Sequence, residues 1–167
     1  MFVLIRTKNY NFSLTDEFVP FMVKALHYIA SLPLYKKANH ITVRIHESGD
    51  FYSVEYLKKW LAIADACKDI INMDFAAYTK SLPFLVQVCK EGYNLNTCNI
   101  HFLSSIWADT KETRKQETKE LNLPIYTAFE KGLFDHNYSE CQCEDCGHCR
   151  QCFKGKKTKE RIAVTIH

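Results

Sequence analysis

The chain has 167 residues, 47% of them hydrophobic and 25% charged, and a net charge of +3. That is one domain's length with enough apolar content for a core, which excludes a disordered tail. Its apolar runs are a few residues long, which excludes a membrane-spanning helix of about 20 residues and a membrane partner.

The start, Met1-Phe2-Val3-Leu4-Ile5-Arg6, has apolar residues before any basic one and no small-residue cleavage site, so no signal peptide is expected and the protein reads as intracellular. Residues 13–31 read as a helix. Ser13 with Asp16 three residues on resembles a capping box, and Phe18, Phe21, Met22, Ala25, Leu26 and Ile29 share one face. Pro33 and the polar Lys36-Lys37-Ala38-Asn39 end it. Ile41, Val43 and Ile45 then alternate with Thr42, Arg44 and His46, a strand period. After the turn at 46–50, a second helix starts from Ser53 as N-cap and runs to Cys67, burying Leu57, Trp60, Leu61 and Ala64. A strand from Ile70 to Tyr78 follows. Ser81 and Pro83 open a third helix that Gly92 closes. Residues 99–104 and 123–129 give two further strands, the nearly all-polar stretch 109–120 a solvated helix or an excursion, and 162–166 a last strand.

Strand, helix, strand at this spacing means right-handed parallel βαβ units. The expected fold is α/β in a single domain over residues 1–167. It has a parallel sheet or partial β/α barrel of four to five strands with flanking helices. In such folds sites form outside the carboxyl ends of the strands. Those ends offer Arg44, His46, Glu47, Ser48 and Asp50, then Tyr78, Thr79 and Lys80, then Ser104 and Ser105. His46 has the unperturbed pKa for acid–base work, and with Asp50 it could grip a metal or orient a hydroxyl. Lys80 suits a phosphate or carboxylate. The competing structural reading has Asp50 capping its own turn or the next helix and Arg44 pairing with an acid. Phe51-Tyr52 reads either as a stacking platform for bases or, more simply, as core.

Residues 150–161 carry Arg150, Lys154, Lys156, Lys157, Lys159 and Arg161 against Glu160 alone, a basic edge suited to polyanions. Just before it, Cys141, Cys143, Cys146, Cys149 and Cys152 fall within twelve residues. Cys-x2-Cys lets two thiolates converge on one tetrahedral ion, and four of these five suffice for one zinc ion. The run also resembles the start of an iron–sulfur ligand set, without the following Cys-Pro.

At Val43-Arg44-Ile45-His46-Glu47-Ser48-Gly49-Asp50-Phe51-Tyr52-Ser53, with Tyr56-Leu57 and Trp60 beyond, the sequence resembles the phage gene product 88 family. Phe75-Ala76-Ala77-Tyr78-Thr79-Lys80-Ser81 matches the family's second motif, and Cys143-x2-Cys146-Gly147-x-Cys149 its ending. The resemblance implies a fold distantly similar to the β/α half-barrel of radical-SAM enzymes. Longer members begin with a Cys-rich segment. Here no Cys precedes Cys67, so the ligands of an AdoMet-cleaving cluster are expected to be missing. With this ending, Cys143, Cys146, Cys149 and Cys152 are the expected zinc ligands, Cys141 being held in reserve.

The functional expectation is a metal-binding accessory module in the cytoplasm of a host cell, acting on nucleic acid or a host nucleoprotein. Its nucleic-acid contacts would be Lys154, Lys156, Lys157 and Lys159; antagonism of host defence is what the phage-type resemblance adds. The alternative is an enzyme using a rim of Arg44, His46, Asp50, Tyr78, Lys80 and Ser104 on a phosphorylated or nucleotide-like substrate.

Overall fold

The computed structural model describes residues 2–47, 49–107, 109–130, 137–140 and 161–166. The Cys cluster and the basic run, residues 141–160, lie outside the described residues, as does Ser48.

Among the described residues, six parallel strands form one sheet. β1 (Ile41–Arg44), β2 (Met73–Thr79), β3 (Ile100–Ser105) and β4 (Ile125–Glu130) lie side by side in chain order. They make a curled half-barrel. β6 (Arg161–Ile166) pairs with β4, and the two-residue β5 (Ser139–Glu140) pairs with the far side of β6. The helices are α1 (Phe2–Leu14), α2 (Phe18–Ser31), the one-turn α3 (Pro33–Lys36), α4 (Val54–Ala66), α5 (Leu82–Lys90) and α6 (Glu112–Glu120). α2 packs on α4, α4 on α5 and α5 on α6. Sequential strand order joined by right-handed crossovers puts consecutive helices on one side of the sheet, which these contacts match.

The core lies between that helix layer and the sheet. Ser53 caps α4 in extended conformation, its hydroxyl accepting the Tyr56 N–H at 3.1 Å. The stripe Leu57, Trp60, Leu61 and Ala64 is buried below it. α5 begins with Pro83 in its first turn and ends before Gly92, whose φ of +95° suits the left-handed position after a helix. On the sheet, Phe75 and Ala77 of β2 and Ile100 and Phe102 of β3 face this layer. The alternate residues form the other face, buried at its middle by Ala76, Leu103 and Ile162 and open at its carboxyl end. Register aligns Arg44 with Ala76 and His101, Tyr78 with Leu103, and Ser105 with Tyr126 and Ile162.

Several expected boundaries move. The chain is already helical from Phe2, and the break falls at 15–17, so Ser13 is no capping-box residue. Its hydroxyl instead donates to the Tyr10 carbonyl at 2.6 Å and pairs with the Tyr52 hydroxyl at 2.7 Å, tying α1 to the segment before α4. Pro33 starts a helical turn after the extended Leu32 rather than only ending one. β2 begins at Met73, because Asn72 turns the chain at φ 65° and leaves Ile71 83% exposed ahead of it. The four-strand half-barrel and β6 are the strands read from sequence, and among the described residues only β5 is added: it is two residues long and carries no period a sequence could show. The polar stretch 109–120 is mostly helix, and Thr118 is the one buried residue of α6.

Candidate functional site

The carboxyl ends of β1 and β2 are joined by one carboxylate. Asp50 accepts at Oδ1 from the Thr79 hydroxyl at 2.6 Å and from its neighbour Phe51 N–H at 2.7 Å, and at Oδ2 from the Lys80 N–H at 2.6 Å. The turn that brings it there needs Gly49, at φ +89°. Ser81 completes the joint by donating its hydroxyl to the Phe51 carbonyl at 2.7 Å, while its N–H goes to Thr79 Oγ1. Asp50 therefore does the work of a brace between two loops; the sequence reading has it capping only its own turn or the next helix, and of that the Phe51 N–H bond alone is seen. Both its oxygens are taken.

His46 lies close by in the chain but turns inward. Its ring packs edge-on to Phe51 at 4.8 Å and beside Tyr56, whose hydroxyl lies 3.4 Å from Nε2. Burial lowers its pKa below the ordinary histidine value, the negative charge of Asp50 opposing this only in part. A neutral imidazole held among aromatic rings is poorly placed to meet a substrate. The same packing settles the Phe51-Tyr52 pair. Phe51 is buried, and Tyr52 stacks on Tyr56 at 4.3 Å and 14°.

Arg44, Tyr78 and Lys80 do reach the open face. The Arg44 Nε donates to the His46 carbonyl at 2.9 Å, and its guanidinium carbon sits over the Tyr78 ring, 4.9 Å from the centroid. The Tyr78 ring meets the Tyr126 ring edge-on at 4.8 Å. Two residues further along, the Lys80 ammonium lies over the Trp107 indole, 4.6 Å from its centroid. Among the described residues, neither the terminal guanidinium nitrogens of Arg44 nor Nζ of Lys80 has a carboxylate partner. The result is two exposed cations at the strand ends, each resting on an aromatic ring.

Ser104 is not part of this face. It is fully buried on the helix side, sharing a 2.6 Å hydrogen bond with Thr118 of α6. Parity along β3 places Ser105 on the open face instead. Trp107 and Tyr126 were not singled out by sequence. Their signal was the same alternation, since 103, 105 and 107 share a parity and Tyr126 pairs with Ser105.

At the opposite, amino end of the same face, Asp74 is buried between two histidines. His101 Nε2 lies 3.2 Å and His40 Nε2 2.9 Å from Oδ2. Burial alone would raise this carboxyl, but the His101, His40 and Thr42 side chains around it outweigh burial and hold its pKa below the ordinary carboxylate value. Among the described residues no group of three or more His, Cys, Asp or Glu side chains is placed to hold a metal ion. A cavity of about 430 Å³ opens elsewhere, beside Lys58, Asp65 and Tyr93, and shares no residue with the rim. No helix of the described residues is long and apolar enough to cross a membrane.

Residues 4–105 match the family described as Gene product 88. No curated protein and no solved structure matches the chain.

Proposed function

The chain belongs to the phage gene product 88 family, and from that premise we propose that it is a nucleic-acid-binding accessory protein whose contact surface is the carboxyl-end rim. The observation that carries the reading is the pair of ring-supported cations, Arg44 over Tyr78 and Lys80 over Trp107, neither with a carboxylate partner among the described residues. Positive charge without carboxylate partners attracts phosphate, and rings beside it offer surfaces to bases. The basic run Lys154, Lys156, Lys157 and Lys159 adds a second, less specific contact. The enzyme alternative is the weaker one, because Asp50 is used as a brace and His46 faces inward.

Binding of a labelled oligonucleotide, followed by anisotropy, is expected to weaken steeply with salt. Each phosphate contact contributes a slope of about −0.7 to −0.9 in log K against log salt. Changing Lys154, Lys156, Lys157 and Lys159 together to Gln should flatten that slope by about three, while Arg44→Ala with Lys80→Ala should lower affinity more than tenfold. Absence of binding to any polynucleotide at low ionic strength refutes the reading.

The Cys cluster fits the same proposal as a structural element. Cys143, Cys146, Cys149 and Cys152 would hold one zinc through four thiolates, a closed set without a position for water. β5 and β6 flank the cluster in the chain, so fixing it would fix how β6 enters the sheet. Elemental analysis should return one zinc per chain. Cys to Ser at any of the four should speed hydrogen exchange in 161–166, and Cys141→Ser should leave it unchanged. Iron with sulfide, or no metal, would overturn the assignment.

A further inference from the structure

The two cations are held differently, and the difference says what kind of nucleic acid the rim takes. Arg44 is pinned. Its Nε is committed to the His46 carbonyl at 2.9 Å, so the planar group keeps its place over Tyr78 while its terminal nitrogens and outer side face solvent. Lys80 is pinned only through its backbone, whose N–H is bound to Asp50. Its ammonium rests on Trp107 by the cation–π contact alone, and among the described residues nothing else holds it. The indole beneath is 39% exposed.

We infer that the rim binds single-stranded nucleic acid through two adjacent base positions: one base stacks on the Arg44 guanidinium, and the next takes the Trp107 indole as Lys80 swings off it to a phosphate. This rests on the nucleic-acid reading above and names its substrate class. The reasoning is geometric and energetic. An anchored guanidinium already lying on a tyrosine is a rigid plate, and arginine planes and indole faces both stack unpaired bases whatever the base. An exposed cation–π contact is worth only about 0.5–1 kcal/mol, so a phosphate can draw the lysine away readily. Arg44 ends β1, Tyr78 and Lys80 stand at the end of β2 and just past it, and Trp107 follows β3, so the two surfaces lie on neighbouring strand ends of one sheet. Bases paired in a duplex present no such face.

The test uses the full chain with a fluorescently silent poly-deoxythymidine or poly-uridine 12-mer and the matching duplexes. Saturation with the single strand should quench Trp107 emission by at least a third, and a Trp107→Phe variant should lack the change, which separates it from the buried Trp60. Single strands should bind at least tenfold more tightly than duplex at equal salt. Arg44→Lys keeps the charge but loses the plate, so it should weaken single-strand binding about tenfold with the salt slope unchanged. Lys80→Gln should instead reduce that slope by about one. Far-UV circular dichroism checks that each variant folds. Equal affinity for duplex, an unchanged Trp107 signal at saturation, or an Arg44→Lys variant that binds like the parent would overturn this inference while leaving nucleic-acid binding in place. Failure of every polynucleotide to bind would remove the parent reading as well.

Discussion

Replacing Asp50 with alanine is expected to lower stability by about 3–5 kcal/mol, taking hydrogen bonds to a carboxylate at about 1.5–3 kcal/mol each with incomplete additivity. Three donors lose their acceptor at once: the Thr79 hydroxyl and the Phe51 and Lys80 N–H groups. The first has a buried residue behind it, so water cannot replace the oxygen freely. Asp50→Asn keeps one acceptor but turns an amide N–H toward a donor, and should fall between the two. Urea denaturation measures both changes. A loss below about 1 kcal/mol for alanine would show that the loops are held by something other than this brace. Because that bond holds the Lys80 backbone beneath its contact with Trp107, the alanine variant should also shift Trp107 emission before any unfolding.

Asp74 carries the second large effect, with a pH signature of its own. Asp74→Asn should cost roughly 2–3 kcal/mol at neutral pH, through lost charge-assisted contacts to His101 and His40 in a buried setting. Its carboxyl titrates below the ordinary value in the folded chain and near 3.9 when unfolded. The unfolded state therefore takes up the proton first as pH falls. The parent's advantage is complete above the unfolded value and disappears as pH drops through the folded one. Stability curves of parent and variant should thus run parallel from neutral pH down to about 5 and converge below about 4. Parallel curves to the lowest pH would contradict the assignment.

How much of this was legible in the sequence depends on whether the signal was local. The alternation Ile41, Val43 and Ile45, the Ser53 cap and the Leu57–Trp60–Leu61–Ala64 stripe are each set within a few residues, and they reappear as β1 and α4. α1 was missed because its apolar residues are scattered around the helix rather than gathered in one stripe. For the rim, the rule of strand ends found the right region. It could not allot roles, since the partners of Asp50 lie about 30 residues away in β2 and its loop. Ser104 was a parity error that could have been avoided: it stands two residues after the core residue Phe102 and so shares its side. Trp107 shares the parity of Leu103 and Ser105, so the same alternation carried past the end of β3 would have pointed to it.

The strand order also has a consequence for how the chain comes together. β6 follows β5 in the chain, yet it lies between β4 and β5, and among the described residues β5 has no other strand beside it. During synthesis β1 to β4 can assemble with their helices while the outer edge of β4 stays unpaired, a row of backbone donors and acceptors open to any extended segment. Only when residues 161–166 have emerged can that edge close, and only then can β5 dock. Closure spans about 30 residues of intervening chain and belongs to the slow, non-local class of contacts. Ribosome-bound chains halted before residue 161 should therefore be the aggregation-prone species, and the half-barrel should acquire its outer wall in one late step.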